Sequence, residues 1–397
     1  MSVIKAERIL REVGDQRDWM VEVRRELHRN PELGLEEFDT AGLIERELTA
    51  LGVDYERWDT AVVGLIQGEQ DGPTVALRAD IDALPIQEET GLPFASTRPG
   101  RMHACGHDAH TTILLGAARW LKENQSVLKG KVKLLFQPAE ETVGGAATMV
   151  ERGCLENPRV DHVFGLHVMP YLPVGRLETR RGALNGCSTT LDITIRGRGG
   201  HAAYPETGID TVLIASHVVV GLNHLVARYV SPLESAVITV GTIRGGSTSN
   251  VIAEEVRLSA TLRATTDAIR DTLVERVRSV VEWVSAAYGG TGEMEVSYGY
   301  AALVNDDEAV ERVEAVSRVL LGEGALLWKE KPSMGVEDFS FFTRDAPGAF
   351  FHIGCAVPGG ENAPLHSPRF VLNEDCLAVG ASMHVGLVLH AMGVLES

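Results

Sequence analysis

The residues best suited to chemistry lie in one short stretch, residues 102–110, which reads MHACGHDAH. Three histidines and one cysteine fall within eight residues of it. Thiolate and imidazole groups are common ligands of zinc and similar divalent ions. Cys105 and His107 flank Gly106, and a tight turn at this glycine could aim both side chains at one point. The stretch indicates a metal site, although a polar loop can carry the same residue types without an ion.

A pair of adjacent carboxylates follows a predicted strand further along the chain. The segment QPAEE ends on Glu140 and Glu141, directly after the apolar run 131–136. Sheets of α/β proteins place their ligands at strand ends. Neighbouring residues point in different directions, so one carboxylate could bind a metal ion while the other handles a proton. Taken alone, the pair is more simply explained as solvated glutamates at the start of a helix.

Two isolated histidines extend the possible ligand set. His167 ends the apolar run 163–167, and His366 lies in a loop between two prolines. Each histidine alone is more often structural than functional. With the earlier residues they form a set large enough for two metal ions. That set is Cys105, His107, Glu141, His167 and His366.

Two further polar residues lie in glycine-rich segments. GRGGHAAYP, residues 197–205, lacks the spacing and the flanking elements of a nucleotide-binding fingerprint, so it is better explained as a loop that presents His201. Asn250 ends the Gly/Ser-rich stretch 245–250. The sequence alone favours a turn residue at this position.

The elements that must position these residues follow two patterns. Helical and apolar strand-like segments alternate at first, at 4–28, 39–51, 62–66, 75–78, 111–121 and 131–136. This alternation predicts an α/β domain with a mixed, partly parallel sheet. Residues 186–298 follow the order β-α-β-β-α-β of the ferredoxin-like split unit. We therefore expect a catalytic domain formed by residues 1–185 and 299–397, with a ferredoxin-like α+β domain inserted at 186–298.

Composition excludes several classes of protein. The formal net charge of −18 argues against a nucleic-acid partner and against docking on an anionic membrane. Five cysteines in 397 residues are not a disulfide scaffold and fit a reducing compartment. The N-terminus does not resemble a signal peptide, and no uncharged apolar run approaches the about 18 residues of a membrane span. We expect a soluble cytoplasmic protein without a membrane partner.

The order of the motifs resembles that of metallopeptidase family 20. The motifs are MHACGHDAH, QPAEE, GLHVMP, GRGGHAAYP, NVI, MGVEDFSFF and LHSPRF. RADIDALP and HRNPEL extend the resemblance toward the N-terminus, so that it spans roughly residues 20–395. The pattern is most similar to the amidohydrolase branch of the family, which includes hippurate hydrolases, aminoacylases and plant auxin-conjugate hydrolases.

The resemblance implies a catalytic domain with two divalent ions per subunit and an inserted lid that also mediates dimerisation. A homodimer or a larger homo-oligomer is therefore expected, and Zn, Mn, Co or Ni would suit the mixed ligands. By motif, the ligands correspond to Cys105, His107, Glu141, His167 and His366. Glu140 corresponds to the general base, and His201 to the lid histidine that reaches the partner subunit's active site in relatives.

Other positions match the family less closely. Asn250 falls at the lid asparagine, and Arg263 matches a substrate-carboxylate arginine more loosely. As a hypothesis, Arg263 and the backbone near Gly335 could bind the carboxylate of the substrate. Asp80 falls at the aspartate that supports the metal ligands in the peptidase relatives. Those relatives carry histidine two residues earlier. This chain has Arg78 there, a departure that is typical of the amidohydrolase branch and removes one peptidase-type ligand.

The expected activity is hydrolysis of the amide bond of N-acylated amino acids, with an acetyl, benzoyl or other aryl-acyl group. The products would be a carboxylic acid and a free amino acid. A dipeptidase or carboxypeptidase with the same two-metal site is an open alternative. A hydrolase with Cys105 as nucleophile and His107 or His103 as base is another. The third is a non-catalytic metal-binding protein, which Glu140 beside Glu141 argues against.

Overall fold

The computed structural model describes residues 3–396, and the chain divides into two compact units. The first unit comprises Met1–Leu184, Val304–Glu330 and Asp338–Ser397. The second comprises Asn185–Leu303 and Lys331–Glu337. The assignment of residues 186–298 as an inserted lid stays a prediction.

Helices and strands alternate along the chain. The helices are α1 (Ala6–Gly14), α2 (Arg17–Arg29), α3 (Phe38–Leu51), α4 (His107–Glu123), α5 (Gly145–Glu151), α6 (Thr211–Tyr229), α7 (Asp267–Ala287), α8 (Asp307–Leu321), α9 (Ser340–Asp345) and α10 (Cys376–Ala391). The strands are β1 (Asp54–Trp58), β2 (Ala61–Gln67), β3 (Gln70–Asp80), β4 (Lys129–Gln137), β5 (His162–Pro173), β6 (Leu177–Thr179), β7 (Gly182–Asn185), β8 (Cys187–Arg196), β9 (Gly200–His201), β10 (Ala236–Gly245), β11 (Val251–Ile252), β12 (Glu255–Ala264), β13 (Thr291–Tyr298), β14 (Leu303–Asn305), β15 (Leu326–Trp328) and β16 (Gly348–Ala356).

The first unit is built on an eight-stranded sheet with the order β1-β2-β4-β3-β5-β16-β6-β15. The central strands β4, β3, β5 and β16 are parallel, while β1, β2 and β4 pair antiparallel. The predicted mixed, partly parallel sheet is therefore confirmed. Helices α4 and α10 pack against each other and are buried nearly all round. Their apolar composition follows from this burial, because neither helix has a wide solvent-facing side.

The second unit has a four-stranded antiparallel sheet with the order β10-β12-β8-β13. Helices α6 and α7 pack against each other and against this sheet. The alternation read in β8 is observed, since Leu191, Ile193 and Ile195 are buried between more exposed residues. The element order β8-α6-β10-β12-α7-β13 is the one expected for the ferredoxin-like unit.

Three elements differ from the sequence-based expectation. The helix predicted over 4–28 is two helices, because α1 ends at Gly14, a residue with low helix propensity. Helix α4 begins at His107 rather than at residue 111, since Gly106 before it adopts a left-handed conformation. His167 does not end β5, which continues to Pro173.

Helix α6 differs from the expectation that no segment approaches a membrane span. Within residues 3–396 it is the one helix long and apolar enough to cross a membrane, judged by length and composition alone. A third of its apolar window is buried. Ile214, Val218 and Leu222 on its inward face belong to the core of the second unit, whereas Val212, Leu213 and Val220 are exposed.

Candidate metal centre

One edge of the eight-stranded sheet brings together the segments that carry the predicted ligands. β3 ends at Asp80 and β4 at Gln137, and these residues are partners in the parallel ladder. Helix α4 begins at His107. His167 lies two residues beyond Gly165, where the pairing of β5 with β3 ends. Because these strands are parallel, their carboxyl ends share one edge, which is where α/β sheets bind ligands.

The five predicted metal ligands of the first unit lie close together, and Cys105 belongs to two groups of three. Ligand atoms of Cys105, His107 and His167 lie within 4.8 Å of one another, with Cys105 Sγ 3.3 Å from His167 Nε2. Cys105 also groups with Glu141 and His366, and His366 Nε2 is 3.1 Å from Glu141 Oε1. A set of sulfur, nitrogen and oxygen ligands that shares one thiolate suits two divalent ions.

Two of the histidines are oriented for metal binding. Nδ1 of His107 lies 3.0 Å from Oδ1 of Asp82, and Nδ1 of His167 lies 2.8 Å from the backbone oxygen of Val168. In the neutral rings Nδ1 therefore carries the proton, and Nε2 keeps its lone pair. Nε2 of His107 is buried and has no hydrogen-bond partner within the described chain. It lies 3.6 Å from Asp80 Oδ2 and 3.9 Å from Glu141 Oε1, and a buried nitrogen among carboxylate oxygens is a donor set that fits a divalent ion.

Asp82 supports this arrangement, and the sequence reasoning did not single it out. Its Oδ1 faces His107 Nδ1, and its Oδ2 accepts the backbone N–H of Glu141 at 2.9 Å. Asp80, which is predicted to support the ligands, accepts from the buried guanidinium of Arg78 at 2.7 Å and lies 3.6 Å from His107 Nε2, so its role stays a prediction. The sequence itself indicated that Asp82 could share this supporting role. Asp82 lies two residues after Asp80, just past the end of β3, where alternate side chains point the same way.

The charges of the centre are unbalanced. Burial and the carboxylates of Glu141 and Glu140 raise the pKa of the Cys105 thiol well above its ordinary value. Burial by itself would lower the pKa of His107, but neighbouring carboxylates, Asp80 foremost, raise it to about 10. The rise for His107 and part of the rise for Cys105 come from nearby carboxylates, whose negative charge a bound cation would neutralise.

The surroundings of Cys105 do not suit a thiol nucleophile. Reactive thiols have a lowered pKa, whereas burial and nearby carboxylates raise the pKa of this one. Of the two histidines considered as its base, His103 is buried, and burial lowers its pKa to about 3. Nδ1 of His107 already faces Asp82. The geometry favours Cys105 as a ligand of a cation.

Glu140 and Glu141 occupy different positions at the centre. A carboxylate oxygen of Glu140 lies within 4.8 Å of ligand atoms of His107 and Glu141, but Glu140 is absent from both groups that contain Cys105. Its side chain is buried, with 8% of the residue exposed. A buried carboxylate beside, rather than within, a ligand set is placed to accept a proton there.

Three residues of the centre have a positive φ angle. Gly106 has φ +87°, and a Cβ atom there would lie 2.4 Å from Cγ2 of Val168, so a larger residue would clash. His366 has φ +64°, and its N–H donates to the oxygen of Ala104. Ala139, directly before Glu140, has φ +57°. Non-glycine residues adopt this conformation only where the surroundings enforce it, and such residues cluster at functional sites.

The other predicted site residues belong to the second unit. Exposed His201 and Asn250 line the same open groove of about 610 Å³. Nδ1 of His201 accepts the N–H of Ala203 at 3.1 Å. Arg263 makes no side-chain hydrogen bond or ion pair with any other residue in 3–396, and the oxygen of Gly335 accepts from Gly186. Their roles toward a substrate stay predictions.

Comparison with known proteins agrees with this chemistry. The family model described as peptidase family M20/M25/M40 matches residues 76–390. An IAA-amino acid hydrolase, ILR1-like 4, of Arabidopsis thaliana is 42% identical over 379 residues, which cover 93% of this chain and 86% of the relative. An N-acetyl-L-cysteine deacetylase of Bacillus subtilis (strain 168) is 41% identical over 361 residues, covering 90% and 84%.

A solved structure supports the same family assignment. The Bacillus subtilis protein YxeP, described as a dinuclear metal-binding peptidase from the M20 family, superposes with a TM-score of 0.84 at 31% identity. The match covers 96% of this chain and 100% of that one. The resemblance read from the motifs is confirmed. The chain belongs to peptidase family M20/M25/M40 and is a hydrolase of that family.

Proposed function

We propose that the protein is a metal-dependent amidohydrolase that cleaves N-acylated amino acids into a carboxylic acid and a free amino acid. The observation that carries the proposal is the sharing of Cys105 by two ligand groups, with the buried carboxylate of Glu140 beside them. Relatives named as an IAA-amino acid hydrolase and an N-acetyl-L-cysteine deacetylase support this class of substrate.

Two divalent ions would be held by the five clustered residues. One would be bound by Cys105, His107 and His167, and the other by Cys105, Glu141 and His366. The chemistry that such ions supply is polarisation of the scissile carbonyl and activation of a water molecule. Zn, Mn, Co and Ni all suit mixed ligands of this kind, so the metal itself is left to reconstitution experiments.

Glu140 is the proposed general base. It is buried beside the ligand groups, close enough to share a site with His107 and Glu141. Its carboxylate would take a proton from the attacking water and then pass it to the leaving amine, so that it acts first as base and then as acid.

The second unit would supply the contacts to the substrate. His201 and Asn250 line one groove, and both can donate hydrogen bonds to the oxyanion that forms when the amide is attacked. The guanidinium of Arg263, which has no partner side chain in residues 3–396, suits the carboxylate of the amino-acid half, together with the backbone near Gly335. Closure of a lid around the substrate would exclude bulk water.

A peptidase with the same centre is the second candidate, favoured by the description of YxeP as a peptidase. One screen separates the two. The purified protein is loaded with Zn, Mn, Co or Ni and offered N-acetyl, N-benzoyl and indolyl-acyl amino acids beside dipeptides. A higher kcat/KM for N-acyl amino acids is expected. A preference for dipeptides by about tenfold, a difference of about 1.4 kcal/mol in transition-state binding, would replace the proposal.

The active form would be a cytoplasmic homodimer. Strand β10 forms an edge of the second unit's sheet, with Val237 and Ile243 exposed along it. Such an edge is available for pairing with another chain. All five cysteines are buried and free of disulfides, as a reducing compartment would keep them. Sedimentation should give twice the 42.9 kDa of one chain.

A further inference from the structure

Glu37 lies at the N-cap position of helix α3, where a short side chain such as that of Ser or Asp often accepts a backbone N–H of the first turn. It makes no such bond. The carboxylate of Glu32 takes that task instead, accepting the N–H groups of Asp39 at 3.2 Å and Thr40 at 2.8 Å. The helix is therefore capped without Glu37, whose carboxyl group is available for a different contact.

That contact is with the segment that carries the paired glutamates. Oε1 of Glu37 accepts the backbone N–H of Ala139 at 2.9 Å, although the two residues are 102 positions apart. Glu37 is fully buried, and its carboxylate also interacts with the side chain of Thr60. Burial, with a contribution from Asp82, raises the pKa of Glu37 to about 7. The hydrogen bond from the N–H of Ala139 offsets part of the cost of burying this carboxyl group.

The backbone of Ala139 needs such a contact. Its φ angle of +57° is unfavourable for alanine, and Glu140 and Glu141 follow at once. Gly34 packs below the same segment, because a Cβ atom there would lie 2.5 Å from Thr142 Oγ1 and 3.0 Å from Ala139 Cα. The segment 34–37 thus touches the strained residue from two sides.

The same part of the chain also holds the segment that carries Asp82. The oxygen of Glu32 accepts the N–H of Ala83 at 2.7 Å, and Leu33 forms a bridge with Ala83. Asp82 in turn contacts His107 and Glu141. Residues 32–37, part of the HRNPEL motif and its continuation, therefore support both carboxylate-bearing segments of the centre.

We propose that Glu37 is a positioning residue, which holds Ala139 in its left-handed conformation and so sets the directions of Glu140 and Glu141. The proposal rests on the roles proposed above for those two carboxylates. In this role Glu37 affects the reaction only by accepting the N–H of Ala139, and it does not contact the substrate.

The test compares Glu37→Met, which removes the acceptor, with Glu37→Gln, which keeps an oxygen for the Ala139 N–H. Glu37→Met is expected to lower kcat about 100-fold, as small misplacements of catalytic groups do, with KM changed less than about threefold. Mn²⁺ affinity of the metal-free protein should fall about tenfold, because ligand support is lost. Glu37→Gln should stay within about fivefold of wild type, since the backbone geometry is kept.

The matched control is Glu36→Met, which removes an exposed carboxylate that pairs with Arg101, and it should behave as wild type. If Glu37→Met does not fold, Gly34→Ala tests the same contact, and it should lower kcat by displacing Ala139. Wild-type kcat in Glu37→Met, or equal losses in Glu37→Met and Glu37→Gln, would overturn the proposal. If the wild type cleaves no N-acyl amino acid, the amidohydrolase proposal fails, and the Mn²⁺ titration decides on Glu37: reduced affinity supports it, and unchanged affinity overturns it.

Discussion

The two units hold their site residues in opposite ways. In the first unit, Cys105 and His107 are buried, and Asp82 contacts both His107 and Glu141. In the second unit His201 is exposed, and its ring accepts one hydrogen bond, from the N–H of Ala203. A metal centre must have its geometry before any substrate arrives, because ligand atoms have to converge on a point. A residue proposed to contact the substrate from the second unit, such as His201, needs only to be exposed.

The largest effect should come from the buried proton acceptor. Glu140→Gln keeps the size of the side chain but removes the base, so kcat should fall about 1,000-fold. Metal content should stay at the wild-type level, because Glu140 lies outside both groups that share Cys105. Steady-state kinetics with an N-acyl amino acid measures kcat, and elemental analysis measures the metal content. Glu151→Gln, an exposed change at the end of α5, serves as control. Near-normal turnover would refute the base assignment.

The exposed site of the second unit predicts a different signature. His201→Ala removes one proposed donor to the oxyanion, so kcat should fall about 100-fold. Metal affinity and thermal stability should not change, because His201 is exposed and belongs to the other unit. His224→Ala, an exposed histidine of α6, is the matched control. If His201→Ala lost metal, the claim that the first unit alone binds the metal ions would be wrong.

The support beneath the ligands should show a smaller effect. Asp82→Asn weakens the acceptor that faces His107 Nδ1, so affinity for Zn²⁺ or Mn²⁺ should fall about tenfold. Saturating metal should restore most of the activity, unlike in Glu140→Gln. Isothermal titration of the metal-free protein measures the affinity. Asp71→Asn, exposed on β3, controls for loss of charge. Unchanged affinity would show that Asp82 supports only the fold.

The candidate ligands could be predicted from the sequence because their residue types are rare in combination, and the structure brings them close together. Cys105 and His107 around Gly106 mark a turn that needs a positive φ, and the structure has φ +87° there. Glu141, His167 and His366 are added because together with these two residues they make a set large enough for two metal ions, and the order of the motifs supports the same set. Their convergence could not be read from spacing, since it depends on the parallel pairing that aligns the ends of β3, β4 and β5.

The supporting roles of these two carboxylates could not be predicted from the sequence, and the reason is physical. Asp82 and Glu37 resemble surface acids in a chain that carries 55 acidic residues. Only tertiary structure shows that Glu37 is buried and that its acceptor is used by Ala139. The break between α1 and α2 and the early start of α4 depend on Gly14 and Gly106, where backbone freedom outweighs apolar periodicity.

The smallest effect on activity should come from an ion-pair cluster of the first unit outside the ligand set. Glu178 hydrogen-bonds His352 at 3.1 Å and Lys329 at 2.9 Å, and Tyr171 donates to it at 2.7 Å. These bonds, that of His352 first, lower the pKa of Glu178 to about 2. A carboxyl group with a depressed folded-state pKa stabilises the fold above its unfolded value and loses that contribution as pH falls toward the folded value.

Glu178→Gln should therefore cost about 2 kcal/mol of unfolding free energy at pH 7, and the difference from wild type should shrink between pH 4.5 and pH 2. Urea titrations at pH 7, 4 and 3 would measure it. The control is Glu255→Gln in the second unit, whose carboxylate pairs with Arg196 and Arg257 at the surface. Exposed pairs contribute little, so that variant should match wild type at every pH. Equal losses in both variants would mean that the two units do not differ in how they hold their charges.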